Sequence, residues 1–277
     1  MSVVDYRAWI GRSEERHDIV AAGPIRRLAA LLDHETAPWA PGVLPPLGHW
    51  LYFLPEPRPS ALQPDGRTER GGLLPPVALP RRMWAGGRID FLAPIAFGAA
   101  MIRRSTVAEV APKDGRSGPM VFMTLRHEIF VGVSLALREE QDLVFRGHPA
   151  AEPPAPAAAP TEAADFRRSV QPGPVELFQY SALTYNGHRI HYDRDYTIRE
   201  EGYPGLLVHG PLIATLIVDN ALRWRPTWPI RRFAYRARSP LFMGTAFDLC
   251  AAATPSGVRV WAQTPGYSVA MEGELTL

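Results

Sequence analysis

The chain has 277 residues, 46% of them apolar, and a formal net charge of +2. That length suits two domains of roughly 100–150 residues, and the near-neutral charge argues against a nucleic-acid footprint. No run of about eighteen apolar residues occurs, so no membrane span is expected; the first residues also lack a signal peptide's basic start and apolar block, leaving a cytoplasmic location as the expectation.

Taken in chain order, the first element is a helix opened by Gly23-Pro24 and running through Ile25–Leu32, with apolar residues at helical spacing and proline suited to the first turn. Trp84 with Gly86-Gly87 reads as a strand entry carrying a packed aromatic, or as a pocket wall with Arg81 or Arg82 facing a substrate carboxylate. A β-prone run, Met101–Val107, follows Phe91–Gly98. Lys113–Gly118 reads as a hairpin turn ahead of the strand Met120–Ile129. Residues 148–164 hold five prolines, which remove donors and favour extended backbone, so they are expected to link two halves, 1–147 and 165–277.

In the second half, Phe178–Asp193 contains His188 and His191 behind a Ser/Thr/Asn-rich turn. His209-Gly210-Pro211 then opens the segment Leu212–Leu222, which is apolar nearly all round and is expected to be a buried helix. A histidine supplies a general base titrating near neutrality, and a helix start supplies free N–H groups that can hold an oxyanion. Ala237–Gly244 repeats the Pro-x-x-x-Gly pattern of Phe91–Gly98 and precedes the strand-like Phe247–Cys250, which points to an internal duplication. Thr254–Gly257 reads as the matching turn before the alternating strand Val258–Ala262. Cys250 is the single cysteine and reads as a buried, inert thiol.

His188 and His191 lie three apart, but no His-Glu-x-x-His arrangement exists and no metal site is expected. Neither a phosphate-cradling glycine loop nor a Gly-x-Ser-x-Gly elbow occurs. Only Lys113 is a lysine, so arginine richness reflects a compositional bias and says little about anion binding.

Asn186-Gly187-His188-Arg189-Ile190-His191-Tyr192-Asp193, followed by Gly202-Tyr203-Pro204-Gly205-Leu206-Leu207-Val208-His209-Gly210-Pro211-Leu212, resembles the signature of MaoC-like hydratases and dehydratases of the hotdog superfamily. With Leu44–Phe53 and Pro80–Arg88 it looks closest to the branch of type-2 hydroxyacyl-thioester dehydratases and mesaconyl-/itaconyl-CoA hydratases. The resemblance puts the catalytic histidine on His191, the trailing Asp on Asp193 and the His-Gly pair on His209-Gly210. It departs at Asn186, where the general pattern has Asp, so the proton work shifts to His191 and Asn186 is expected to hold the reacting water.

The resemblance implies an α+β double hotdog: two curved antiparallel sheets, each wrapped round a helix, with the motif only in the second half. It implies hydration or dehydration of an enoyl-CoA/3-hydroxyacyl-CoA thioester, favouring a short branched or dicarboxylic acyl group of the mesaconyl or itaconyl kind. The alternatives are an (R)-3-hydroxyacyl-thioester dehydratase of fatty-acid or polyketide synthesis, and a non-catalytic acyl-CoA-binding subunit. The expected partners are an acyl-CoA or acyl-carrier-protein thioester and a second copy in a homodimer. Coenzyme A is expected only as part of the substrate, with no separate cofactor. His191 and Asn186 are the expected catalytic residues; Gly210, His209, Arg189, Trp84 and Arg82 are the expected oxyanion and substrate contacts.

Overall fold

The computed structural model describes residues 5–68, 72–115, 118–147, 163–226, 228–266 and 268–277. The expected linker, 148–164, lies outside the described residues except for its last two positions, and so do the tip residues 116–117 of the first hairpin turn.

Among the described residues, ten strands form one sheet in the order β1-β3-β4-β5-β2-β7-β10-β9-β8-β6. The first five are β1 (Ser13–Ile19), β2 (Arg81–Phe91), β3 (Ala100–Gly115), β4 (Gly118–Val131) and β5 (Ser134–Arg146). The second five are β6 (Phe166–Val170), β7 (Arg232–Ala237), β8 (Phe247–Thr254), β9 (Gly257–Gln263) and β10 (Val269–Thr276). Read outward from the centre, the first half runs 2-5-4-3-1 and the second 7-10-9-8-6, which is the same topology twice. The halves meet where β2 pairs antiparallel with β7, from Gly86↔Arg236 to Asp90↔Arg232. Thr254↔Gly257 closes the β8–β9 hairpin over a two-residue turn, where the turn is expected.

Among the described residues, four α-helices accompany the sheet: α1 (Ala22–Leu31), α2 (Pro174–Thr184), α3 (Arg194–Arg199) and α4 (Gly210–Trp224). Every residue of α4 from Leu212 to Leu222 is buried, and the helix packs on β8 and β9. An all-apolar helix is stable only when covered on every side, and the curved second half supplies that cover. Its β-branched residues do not divert it into a strand, because burial outweighs their small helix penalty. None of the helices is long and apolar enough to cross a membrane, among the described residues.

The duplication extends to single hydrogen bonds. Leu44 N–H donates to the Ile95 carbonyl (2.8 Å) as Val208 N–H donates to that of Leu241 (2.8 Å). Phe97 N–H donates to Gly42 as Met243 N–H donates to Leu206, and Gly98 N–H donates to Val20 as Gly244 N–H donates to Pro172. The two Pro-x-x-x-Gly segments are therefore equivalent turns, and α1 answers to α2. Where α4 runs in the second half, the first half has the 3₁₀ turn Gly48–Leu51. Aligned through Leu44 and Val208, Pro45-Pro46 stand where the second half has His209-Gly210.

Candidate active site

The site grows from the end of α2. Gly173-Pro174 starts that helix, with the Glu176 carboxylate accepting from the Gly173 N–H (3.0 Å). Tyr185, left-handed at φ 49°, ends it, and Asn186 N–H closes on the Ser181 carbonyl at 2.8 Å. The Asn186 Oδ1 then accepts from the His188 backbone N–H (3.0 Å), folding residues 186–188 into a side-chain-closed turn. A 3₁₀ turn, Arg189–His191, follows and delivers His191 into the interior, 7% exposed.

His191 Nδ1–H donates to the Leu207 carbonyl at 2.9 Å. That bond sets the tautomer and leaves the Nε2 lone pair available. Burial pulls the imidazole down to about 4, against the carbonyl's opposing effect, so the ring is neutral at pH 7. His209 stacks on it with ring centroids 3.7 Å apart. The His209 Nε2 pairs with Ser181 Oγ (2.8 Å), while its Nδ1 is buried without a partner. Burial, then the two nearby imidazoles, push His209 well below its ordinary value. His188 meets His191 edge-on at 5.6 Å and is lowered to about 3 by burial, then by Arg67, His191 and Arg82, against the raising effect of Asp65. Three neutral imidazoles thus share one small volume in which a second proton is strongly disfavoured.

His209 is also the residue before α4, so the ring stacked on His191 belongs to the residue at the helix start. Ile213 N–H bonds back to the His209 carbonyl (3.0 Å), Pro211 has no N–H, and Gly210 and Leu212 are left as donors without intrahelical partners. A side chain on Gly210 would lie 3.1 Å from Trp84 Cε3, so the missing Cβ is what lets the indole sit against the helix start.

The first half buttresses this turn. Arg189 N–H donates to the Asp65 carbonyl (2.9 Å) and Arg189 Nη1 to that of Pro64 (2.9 Å). Gly66, at φ +82°, lies so close that a Cβ there would be 1.9 Å from the Gly187 carbonyl oxygen; only glycine permits this approach. The rest of the Arg189 guanidinium binds Asp193 (2.7 and 3.0 Å) and lies over Tyr196. Asp193 caps α3 through the Tyr196 N–H (3.0 Å). Of the expected substrate contacts, Arg189 is thus committed to the loop's own framework. Arg82 lies close enough to His188 for its charge to act there, and Trp84 lies against Gly210.

Several residues at this site carry no motif. Ser181 belongs to α2, which stands where a Ser/Thr/Asn-rich turn is expected, although Gly173-Pro174 repeats the Gly-Pro start of α1. Tyr180 packs edge-on against His209 (5.1 Å), and its hydroxyl is buried without a partner. Glu139 is buried between His49 Nε2 and Trp50 Nε1, each donating at 3.0 Å. Burial alone would raise this carboxyl, but those donors outweigh it and hold it at about 2. No pattern links residues ninety positions apart. Cys250 is fully buried and raised to about 11, as an inert thiol should be.

A strand order repeated in both halves, with two stacked, buried histidines beside the start of one central helix, defines a MaoC-like double hotdog. The model of the family described as hydroxyacyl-thioester dehydratase type 2 matches residues 47–243. A mesaconyl-C(4)-CoA hydratase of Chloroflexus aurantiacus is 43% identical over 284 residues, covering 100% of this chain and 99% of that protein. Among solved structures, a MaoC-like dehydratase from Phytophthora capsici superposes with a TM-score of 0.71 at 14% identity, over 99% of this chain and 98% of that one. A Mycobacterium tuberculosis protein described as having a double hotdog fold gives 0.54 at 15% identity, over 96% of each chain. The chain belongs to the hydroxyacyl-thioester dehydratase type 2 family, enzymes of the hydro-lyase class.

Proposed function

We propose that the protein reversibly adds water across the 2,3-double bond of an enoyl-CoA, at one site per chain. The observation that carries this reading is the hydrogen bond from His191 Nδ1–H to the Leu207 carbonyl, which leaves Nε2 as an acceptor beside the start of α4. In the hydration direction Nε2 takes a proton from water as the oxygen attacks C3. The electron pair moves through C2 onto the thioester oxygen, where the Gly210 N–H stabilises it. The same imidazole returns its proton to C2, giving the 3-hydroxyacyl thioester. Water and the enoyl thioester balance the reaction, and coenzyme A enters as part of the substrate. The favoured acyl group is short and branched or dicarboxylic, of the mesaconyl kind; the 43% identity to the Chloroflexus hydratase supports it. Loss of enoyl absorbance across a panel of enoyl-CoAs tests the reading, and no turnover of any member would reject it in favour of a binding subunit.

Asn186 has its Oδ1 occupied by the His188 N–H, so its free NH₂ is the group that holds the water. Asn186→Asp keeps the turn acceptor and is expected to stay within about tenfold of wild type, roughly 1.4 kcal/mol of barrier. Asn186→Leu loses both the turn and the water partner and should cost much more. Equal rates for Leu and wild type would remove Asn186 from the mechanism.

The depressed value of His191 fixes the expected pH profile. The base is active when neutral, and its folded value of about 4 lies below the ordinary 6.5. The acid limb of kcat/KM should therefore lie well below pH 6.5, with activity lost only as pH falls toward about 4. A limb centred near 6.5 would mean that the base is a solvated histidine, not His191.

A further inference from the structure

Eleven buried side-chain polar atoms lack a hydrogen-bond partner among the described residues. Five of them, on Trp84, Tyr180, His188, His209 and Tyr235, gather around the start of α4. Leaving a buried donor unpaired costs on the order of 1–3 kcal/mol, so such a concentration marks a place where a ligand supplies the missing partners.

Two of the five lie together where the halves meet. Trp84 and Tyr235 meet edge-to-face, ring centroids 5.4 Å apart, and Trp50 flanks Trp84 at 5.1 Å. Both are set by the seam between the halves. A bulge between Trp84 and Gly86 leaves Ala85 without a ladder partner and re-aims the indole. Gly87 pairs with Tyr235, and a Cβ on Gly87 would lie 2.7 Å from the phenol oxygen, so glycine there makes room for the hydroxyl. Tyr235 is 6% exposed, and its oxygen has no hydrogen-bond partner among the described residues. Its phenol stays protonated because burial, and then the nearby Glu139 carboxylate, raise it well above its ordinary value. An indole N–H can only donate. Two neutral donors are therefore carried by a pair of packed rings, one of which touches the Gly210 start of α4.

We infer that Trp84 Nε1–H and Tyr235 O–H form a subsite for an oxygen acceptor on the acyl chain, which makes the enzyme selective for oxygen-bearing short enoyl thioesters, a dicarboxylic one foremost, over plain alkyl ones. The inference rests on the hydratase reading above and adds the residues that read the chain. An alkyl group placed there would leave both donors unpaired, and a site built to hydrogen-bond a group rejects the analogue that lacks it.

The test uses the full-length enzyme and three four-carbon probes: crotonyl-CoA, with no acceptor on the chain; fumaryl-CoA, with a carboxylate; and its monomethyl ester, with a neutral carbonyl. Wild type should prefer one or both oxygen-bearing probes to crotonyl-CoA. In Tyr235→Phe and Trp84→Phe, which keep the ring and remove or displace the donor, that preference in kcat/KM should fall by about tenfold or more. Fumaryl-CoA and the ester separate a charged from a neutral acceptor, and a fall for either supports the subsite. The melting temperature of ligand-free Tyr235→Phe should hold or rise, since an unpaired buried hydroxyl is lost. A melting temperature that drops, with all three probes slowed alike, makes the hydroxyl structural and overturns the inference. Unchanged preferences in both variants overturn it as well. Turnover of none of the three by wild type would instead reject the hydratase reading, so the two failures are distinguishable.

Discussion

His191→Ala is expected to lower kcat for enoyl-CoA hydration by roughly 10²–10⁴, the range for losing a general acid–base group. The protein should remain folded. The substitution frees the Leu207 carbonyl and opens a space beside His209, but it removes neither sheet pairing nor any residue of α4. Hydration that proceeds undiminished in the variant, measured across the enoyl-CoA panel at pH 7, would remove His191 from the mechanism.

Residues 165–277 expressed alone should be insoluble or inactive, although they contain His191, Asn186 and Gly210. Three supports come from the other half. β7 would lose its pairing with β2 and present a bare edge, a template for aggregation. The turn at Gly187 would lose the backbone of Pro64–Gly66 behind it, and Gly210 would lose the Trp84 indole. Adding residues 1–147 in trans should restore some activity. Limited proteolysis of the whole chain should cut first within the proline-rich 148–164 and leave the two pieces associated. An isolated second half that is monomeric, soluble and fully active would refute this dependence.

What the sequence made legible follows from range. Elements whose signals are local were readable: the Gly-Pro start of α1, the apolar run of α4, and the alternation of β9 on either side of short turns. The repeated Pro-x-x-x-Gly was readable too, because both copies answer the same geometric demand with the same residues. His191 and Gly210 emerged through the spacing of a motif whose chemistry is compact in sequence. The Ser/Thr/Asn-rich turn expected ahead of His188 is in its first part the end of α2, whose aromatic and polar side chains blur helical periodicity. Arg189, open to either role in sequence, turns inward on Asp193 because an i, i+4 partner is always at hand. Tyr235 gave no sign at all. A tyrosine in an alternating strand is ordinary, and what distinguishes this one is an unpaired hydroxyl opposite a glycine on a strand some 150 positions earlier.

The prolines at 45 and 46 also bear on the history of the duplication. An ancestral pair of equal halves would have held two centres. A proline at the position equivalent to Gly210 has no amide hydrogen, so a base regained elsewhere in the first half would stand beside a backbone unable to steady the developing charge. No single substitution therefore recovers a second centre, and its loss works as a ratchet. The silent copy, released from selection for proton transfer, is free to vary in the surfaces that meet the acyl group. Descendants of one ancestral chemistry can then diverge in diet through the half that performs none of it.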